Sequence, residues 1–98
     1  MTNQIIWSPA SEKDFQAILE YLNTRWNRNV ILKFINKLDD NIRLISENPK
    51  LFPIVHNDLK IRKCVISKQN ILFYREVHKN IEIVRLFDSR QDPKKLNF

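Results

Sequence analysis

The sequence predicts an α+β fold with the element order β-α-α-β-β-β, in which an N-terminal helical hairpin packs on one face of an antiparallel sheet. Two long segments in the first half carry apolar residues at helical spacing. Three segments in the second half are rich in isoleucine, valine, phenylalanine and tyrosine, and short polar stretches separate them. The chain has 98 residues, and we expect residues 1–98 to form one domain.

The first strand and the first helix are predicted to meet at a proline. Gln4 to Ser8 is short, β-branched and aromatic, which indicates a strand. Ser8 is a suitable N-cap and Pro9 a suitable first helical residue, because proline has no N–H to leave unpaired there. Glu12 and Asp14 suit the positive end of the helix dipole. The apolar stripe of this helix consists of Phe15, Ile18, Leu19, Leu22 and Trp26.

A second helix has the same signature. Its stripe consists of Ile31, Phe34, Ile35, Leu38, Ile42 and Ile45. Asn48 is expected to end it, because the residue before Pro49 is disfavoured in the α region. Residues 23–29 should contain the turn, and two amphipathic helices joined by so few residues are expected to form an antiparallel hairpin.

The second half of the chain predicts a meander of three antiparallel strands. Residues 51–59, which include Pro53, are predicted to form a loop. The strands are residues 61–66, 71–77 and 81–87, joined by turns of hairpin length. A polar tail, residues 88–98, follows. Because the chain has no glycine, we expect asparagine at the left-handed turn positions.

The absence of glycine excludes several function classes. Phosphate-cradling loops need glycine where the backbone takes a positive φ or approaches a ligand closely. Walker loops, dinucleotide fingerprints, kinase loops and the strained nucleophile elbow are therefore excluded. The one cysteine cannot form an internal disulfide, and two widely separated histidines do not predict a metal site. We expect no cofactor and no metal.

The expected location is the cytoplasm. The longest apolar runs are only a few residues, far short of the roughly 20 that span a bilayer. Residues 1–4 lack the basic and then apolar layout of a signal peptide. We therefore expect a soluble protein without membrane contact.

The positive charge is concentrated in the second half of the chain. The net charge is +6, and residues 60–98 hold ten Lys/Arg against four Asp/Glu, so the whole excess lies there. Such a field favours an anionic partner: nucleic acid, a ribosome, an enzyme of nucleic-acid metabolism or an acidic peptide. A basic protein without such a partner is the alternative.

Five residues of this basic half are candidates for contact with a target: Arg62, Arg75, Arg85, Arg90 and Phe98. If the meander forms as predicted, the arginines would cluster on the sheet and its closing edge, as in a phosphate-binding surface. A solvated sheet face with ordinary surface arginines is the alternative. Phe98 and Leu96 lie on the tail, where they either dock back on the domain or anchor a partner.

The other reactive side chains are expected to be structural. Cys64 is interpreted as a small buried hydrophobe. Tyr74 is either a core aromatic, which we favour, or a proton donor. Glu82 is expected to pair with a strand neighbour. His56 and His78 are expected on the surface, and no catalytic residue is assigned.

Several short strings, in chain order, carry a resemblance to a known family. They are Ile6-Trp7-Ser8-Pro9-Ala10, Glu20-Tyr21-Leu22, Ile45-Ser46-Glu47-Asn48-Pro49, Phe73-Tyr74-Arg75, and Ile83-Val84-Arg85-Leu86 followed by Ser89-Arg90-Gln91-Asp92-Pro93. With the order of elements, they resemble the RelE/ParE superfamily of toxins from bacterial type II toxin–antitoxin systems, and the ending resembles the ParE branch. Asp88-Ser89 stands where the family usually has His-Gly, and the family glycine before the second strand is absent.

The resemblance implies one of two activities. ParE-like toxins bind DNA gyrase and trap it on cleaved DNA, whereas RelE-like toxins cut messenger RNA on the ribosome. RelE-like enzymes use an arginine on the third strand, and the matching position here is Ile71, which can neither hold a phosphate nor move a proton. A ParE-like gyrase inhibitor is therefore favoured. The first alternative is a RelE-like ribonuclease, and the second alternative is a nontoxic antitoxin-binding module.

The resemblance also implies a partner protein. Family toxins are neutralised by a cognate antitoxin whose C-terminal segment wraps the toxin, so a hetero-oligomer is expected. Antitoxin segments are commonly acidic, which suits the basic second half of this chain. For a gyrase inhibitor, the five candidate residues are interpreted as target contacts.

Overall fold

The computed structural model describes residues 4–98, which form two helices and a five-stranded sheet. The elements are β1 (Gln4–Trp7), α1 (Pro9–Arg25), α2 (Arg28–Glu47), β2 (Ile54–His56), β3 (Ile61–Val65), β4 (Asn70–Val77) and β5 (Asn80–Asp88), followed by a short 3-10 helix, Pro93–Lys95. The predicted α+β class and the helical hairpin are confirmed. The prediction of a loop over residues 51–59 is wrong in part, because residues 54–56 form β2 and pair with β3.

Side-chain caps fix the start of each helix. Ser8 Oγ accepts a hydrogen bond from the Ser11 N–H at 3.0 Å, and Pro9 occupies the first turn, as predicted. Asn27 Oδ1 accepts from the Val30 N–H at 3.2 Å and caps α2 in the same way. Only residues 26 and 27 separate the two helices. The hairpin is therefore tighter than predicted, and most of the expected turn is helical.

Trp26 does not belong to the buried stripe of α1. As the C-cap it has an extended backbone, with φ −133° and ψ 172°, so its side chain leaves the helical spacing. The indole is 56% exposed. The prediction is wrong for this residue, whereas the four stripe residues before it pack in or against the core.

The strand order is β1-β5-β4-β3-β2. Strands β2 to β5 are antiparallel neighbours, as predicted, but β1 runs parallel to β5. The sheet is therefore mixed rather than purely antiparallel. β1 leads directly into the helical hairpin, and the chain re-enters the sheet at its far edge. The first strand is consequently left beside the last one, as in other crossover connections.

The main apolar cluster lies between the helices and the sheet. It joins Leu38 and Ile45 of α2 to Leu72, Tyr74 and Ile83 of the sheet, and all five side chains are buried. Tyr74 and Cys64 are both fully buried in this cluster, which confirms their predicted structural roles. No helix among residues 4–98 is long and apolar enough to cross a membrane.

A second, smaller apolar cluster lies on the opposite side of the sheet, which we call the open face because neither helix covers it. Its buried members are Ile61, Phe73 and Phe87. Leu96 of the tail packs against this cluster, and the ring of Phe98 lies 5.1 Å from that of Phe73. The tail therefore docks back on the domain, one of its two predicted placements.

The left-handed backbone positions among residues 4–98 are not asparagines. They are Lys60, with φ 57°, and His78, with φ 59°. The prediction of asparagine there is wrong. Both residues lie in turns before a strand, where strand pairing fixes the backbone and outweighs a cost of about 1–2 kcal/mol. Asparagines instead cap helices, as Asn27 and Asn48 do.

Candidate partner-binding surfaces

Arg85 forms a two-pronged ion pair with Asp14 of α1. Arg85 Nε lies 2.7 Å from Asp14 Oδ2, and Nη2 lies 3.0 Å from Oδ1. The Leu86 N–H also donates to Asp14 Oδ2 at 3.0 Å. The two side chains are only 15% and 17% exposed. These hydrogen bonds raise the pKa of Arg85, so the guanidinium stays charged.

The ion pair lies at an irregular point of β5. Phe73 pairs with Arg85 but Tyr74 pairs with Ile83, so Val84 is an extra residue in β5. Ser8 closes this bulge, because its Oγ donates to the Val84 carbonyl at 2.8 Å and its N–H donates to the Ile83 carbonyl at 3.0 Å. The junction between β1 and α1 therefore shapes the edge of β5 that holds Arg85.

Arg85 also holds the C-terminal tail. Its Nη1 lies 3.4 Å from the Lys95 carbonyl and 3.5 Å from that of Asn97. Beyond these contacts the Phe98 ring packs edge-on against Phe73, and it lies 5.8 Å from the ring of His56. Phe98 remains 44% exposed. The tail is thus positioned across the open face with an aromatic ring accessible at its end.

Arg75 lies on the open face as well. It is the cross-strand partner of Glu82, and its Nε lies 2.7 Å from Glu82 Oε1. The predicted pairing of Glu82 with a strand neighbour is confirmed. About a third of each side chain is exposed. The pair therefore presents a cation and an anion to any partner of this face.

Arg62 has a different position. It neighbours Tyr74 across the strands, on the helix-covered side of the sheet, and donates to the Phe52 carbonyl at 2.7 Å. The Tyr74 hydroxyl donates to the Pro49 carbonyl at 2.7 Å, and burial raises the pKa of Tyr74 to about 12. Both side chains hold the segment that follows α2, and Tyr74 is not free to transfer a proton.

Arg90 lies beyond β5, against α1. Its guanidinium donates two hydrogen bonds to Asp88, at 2.9 and 2.6 Å, and one to the Tyr21 hydroxyl at 2.7 Å, and its backbone N–H donates to Asp88 Oδ1 at 2.9 Å. Its guanidinium carbon is 4.2 Å from the centre of the Tyr21 ring, a cation–π geometry. The hydrogen bonds from Arg90 are the main reason why the pKa of Asp88 lies below its usual value.

The structure divides the predicted cluster of cations. Arg75, Arg85 and Phe98 surround Phe73 on the open face, whereas Arg62 and Arg90 have separate partners elsewhere. Sequence reasoning missed Asp14 as the partner of Arg85, since the residues are 71 positions apart. It also missed Tyr21 as the platform for Arg90. An acid and an aromatic on one helix carry no sequence signal that identifies either contact.

His56 is less exposed than predicted. It is half-buried, and its Nδ1 accepts a hydrogen bond from the Leu59 N–H at 3.2 Å. His78 lies in the exposed turn between β4 and β5, as predicted. Among the residues that the structure describes, no group of three or more His, Cys, Asp or Glu could hold a metal ion.

The fold and the sequence together define a type II toxin. The sequence model of the family described as "ParE toxin of type II toxin-antitoxin system, parDE" matches residues 5–93. The chain belongs to this family and thus to the RelE/ParE superfamily of toxins from type II toxin–antitoxin systems. No curated protein sequence matches the chain closely enough to count as a relative.

Solved structures share the fold at low sequence identity. The chromosomal ParDE system of P. aeruginosa gives a TM-score of 0.66 at 15% identity, covering 89% of this chain and 96% of that one. A YoeB/ParE toxin from Agrobacterium tumefaciens gives 0.64 at 15% identity, with 87% and 96% covered. The DinJ-YafQ toxin-antitoxin complex of E. coli gives 0.58 at 19% identity, with 92% and 96% covered. These likenesses support the fold alone.

Proposed function

We propose that this toxin inhibits growth by binding and poisoning DNA gyrase in the cytoplasm, without chemistry of its own, and that a cognate antitoxin neutralises it. The observation that carries the proposal is Ile71. At the position where RelE-like enzymes have an arginine, this chain places an isoleucine, which packs against the apolar cluster of the open face. An aliphatic side chain supplies neither charge stabilisation nor proton transfer for RNA cleavage.

The remaining polar groups of the open face support an inhibitor rather than a nuclease. RNA cleavage needs a base, an acid and a cation free to hold the developing phosphate charge. Arg75 and Arg85 are held by Glu82 and Asp14. His56 uses Nδ1 to accept from the backbone. Both arginines are thus engaged in ion pairs. Among these groups, no acid and base that could transfer protons lie beside a free arginine, so the arrangement suits packing and binding.

The proposed target contacts centre on the open face. Arg75 and Phe98 are its accessible members, and Arg85 positions the tail that carries Phe98. Arg62 and Arg90, the other two proposed contacts, would engage a target that extends past the edges of this face. The contact is expected to combine an aromatic anchor with charged groups, as in other inhibitor interfaces.

A purified-component assay tests the gyrase target. Supercoiled plasmid is incubated with gyrase, ATP and increasing amounts of the full-length toxin, and the cleaved DNA is measured after protein digestion. We expect linear DNA to accumulate with the toxin and to disappear when the co-purified antitoxin is retained. No cleaved DNA at a large excess of folded toxin would contradict the proposal.

The alternative function is a ribosome-dependent endoribonuclease. The observation that favours it is the likeness of fold to toxins named YafQ and YoeB. It predicts that messenger RNA incubated with ribosomes and toxin is cut, while gyrase is unaffected. A folded protein inactive in both assays that still binds the antitoxin would indicate the third possibility, a nontoxic antitoxin-binding module.

A further inference from the structure

The guanidinium of Arg85 has different partners on its two sides. Its Nε and Nη2 bind the two carboxylate oxygens of Asp14 at 2.7 and 3.0 Å, so one edge of the planar group is occupied. The remaining nitrogen, Nη1, lies at the opposite corner and donates to the tail. Because a guanidinium is rigid and planar, the position of the carboxylate fixes the direction in which Nη1 points.

The contact between Nη1 and the tail is sensitive to this direction. Nη1 lies 3.4 Å from the Lys95 carbonyl oxygen and 3.5 Å from that of Asn97. Both distances are long for N–H···O hydrogen bonds, so a small rotation of the guanidinium is enough to lose them. An arginine side chain without a fixed partner samples many rotamers. Asp14 therefore determines whether Arg85 can hold the tail.

Arg85 caps the short 3-10 helix of the tail. Lys95 is the last residue of this helix, so its carbonyl has no partner within the helix, and a cation is favourable at that end. Asp92 caps the other end, where its Oδ1 accepts from the Lys94 N–H at 3.0 Å. Within the described range 4–98, Arg85 is the one residue outside the tail that hydrogen-bonds to residues 92–98. The polar link between this helix and the sheet therefore runs through Arg85.

Apolar contacts alone hold the tail weakly. Leu96 is half-buried against the cluster of the open face, and Phe98 remains exposed although its ring lies against Phe73. Partial burial returns only part of the free energy that a buried leucine or phenylalanine contributes. Ordering the chain after Pro93 costs conformational entropy at each residue. The hydrogen bonds from Arg85 therefore decide whether the tail stays docked.

We propose that Asp14 is a positioning residue of the toxin, which acts through Arg85 to hold the tail in the arrangement that presents Phe98 to the target. The inference rests on the proposed function, because that function makes Phe98 a target contact. The Asp14 side chain is mostly buried against Arg85, so its effect does not require contact with the target. Changes to Asp14 are therefore expected to impair toxicity by releasing the tail.

Nitrogen-15 NMR relaxation of the full-length toxin tests whether Asp14 orders the tail. The amides of residues 96–98 are expected to have order parameters above about 0.8 in the wild type and below about 0.6 in Asp14→Asn. Asparagine keeps an oxygen for the Leu86 N–H, so the amides of β5 should stay rigid. Glu12→Gln removes one charge from an exposed position of the same helix and is the matched control. A tail as ordered in Asp14→Asn as in the wild type would overturn the inference.

A second variant keeps the ion pair and removes the nitrogen that reaches the tail. Arg85→Lys retains a cation opposite Asp14, but an ammonium is a point charge and does not bind a carboxylate and the tail in two fixed directions. The tail amides are expected to lose order as in Asp14→Asn. Arg75→Lys makes the same change in the other ion pair of the open face and should leave the tail ordered. Equal tail order in the two lysine variants would overturn the inference.

A double-mutant cycle on toxicity tests whether Asp14 acts through Phe98. Asp14→Asn and Phe98→Ala are each expected to raise the viable count after induction at least about tenfold at matched levels of soluble toxin. The double variant should resemble Phe98→Ala alone, because a tail without its aromatic ring has little left to position. Glu12→Gln should be as toxic as the wild type. Effects that multiply in the double variant would show that Asp14 acts independently of Phe98, and would overturn the inference.

Gyrase cleavage assays separate this inference from the proposed function. If the wild type traps gyrase on cleaved DNA, the tail is released in Asp14→Asn and the cycle is non-additive, both are supported. If the wild type traps gyrase but tail order does not depend on Asp14, the inference fails while the proposed function stands. If the wild type is toxic without affecting gyrase, the gyrase target fails, and tail order with the same cycle on viable counts still supports or overturns the role of Asp14.

Discussion

Asp14 of α1 binds the guanidinium of Arg85 in β5 and the backbone N–H of Leu86 at the same time. This one carboxylate accepts a backbone hydrogen bond from β5 past the end of β1, and it also orients Arg85. Arg85 in turn reaches the carbonyls of Lys95 and Asn97 in the tail. The first helix and the last residues of the chain are thereby joined through a single ion pair.

Removal of the Asp14 carboxylate is expected to destabilise the fold. Asp14→Ala leaves the mostly buried Arg85 without a counterion and the Leu86 N–H without an acceptor, at a cost of about 2–4 kcal/mol in the free energy of unfolding. Glu12→Ala, an exposed acid of the same helix, should cost less than about 1 kcal/mol. Urea unfolding measures both. Equal losses for the two variants would show that the ion pair is not important for stability.

Arg75 should be needed for toxicity but not for folding. Arg75→Glu is expected to reduce toxicity at least about tenfold and to cost under about 1 kcal/mol in stability, since the pair is partly exposed. Adding Glu82→Arg restores an ion pair with exchanged positions, so it should recover stability and not toxicity. Glu82→Gln alone keeps Arg75 and should stay toxic. Viable counts after induction and urea unfolding provide the two readouts.

If the double variant Arg75→Glu with Glu82→Arg is as toxic as the wild type, Arg75 is not part of the target contact.

Arg85 is less suited to the same test. Charge reversal there would put a carboxylate against Asp14 in a mostly buried site, so that loss of toxicity could follow from unfolding.

The Asp88–Arg90 ion pair is expected to stabilise the folded protein at neutral pH and to lose this contribution in acid. The pKa of Asp88 is lower in the folded state, chiefly because Arg90 donates hydrogen bonds to it. Such a pair stabilises the fold fully above the unfolded-state pKa, and the contribution is lost as the pH falls through the folded-state value. Arg90→Gln is therefore expected to raise the pKa of Asp88 and to lower stability at neutral pH, with the difference shrinking below about pH 4.

Carbon NMR of the Asp88 carboxyl measures this pKa directly. Arg25→Gln is the matched control, because Arg25 also lies over the Tyr21 ring, at 5.8 Å, and has no ion pair with a described residue. An Asp88 titration that is the same in wild type and Arg90→Gln would contradict the assignment.

Cys64 should be unreactive in the folded protein. Its side chain is fully buried, and burial raises the pKa of the thiol to about 11. At pH 8 the reactive thiolate is therefore scarce as well as inaccessible. A disulfide reagent such as dithionitrobenzoate is expected to label the native protein at least about a hundredfold more slowly than the urea-unfolded chain. Labelling at the same rate in both states would show that this part of the core opens readily.

Local signals in the sequence predicted much of the fold. Ser8 and Pro9 mark the start of α1, and Asn48 before Pro49 marks the end of α2, because capping and proline sterics act within a few residues. The three strands of the meander followed from β-branched and aromatic runs. The strand β2 was missed, since three residues next to Pro53 pair only because β3 offers an open edge.

The candidate site could be predicted only in part. The arginines were identified as the unusual residues of the second half, but their partners are distant in sequence. Asp14 of α1 meets Arg85 of β5, and Tyr21 of α1 meets Arg90 in the segment after β5. Such contacts depend on how elements pack, which no local spacing records. Trp26 illustrates the same limit, because its own backbone is extended at the end of α1 and its side chain therefore lies outside the apolar stripe.

Pulse labelling of DNA, RNA and protein synthesis after induction of the toxin without its antitoxin tests the central claim most directly. A gyrase poison predicts that thymidine incorporation falls first, with RNA and protein synthesis declining later. An earlier fall in amino-acid incorporation would contradict the gyrase target and support the ribonuclease alternative. Undiminished synthesis of all three in cells that contain soluble toxin would contradict toxicity itself.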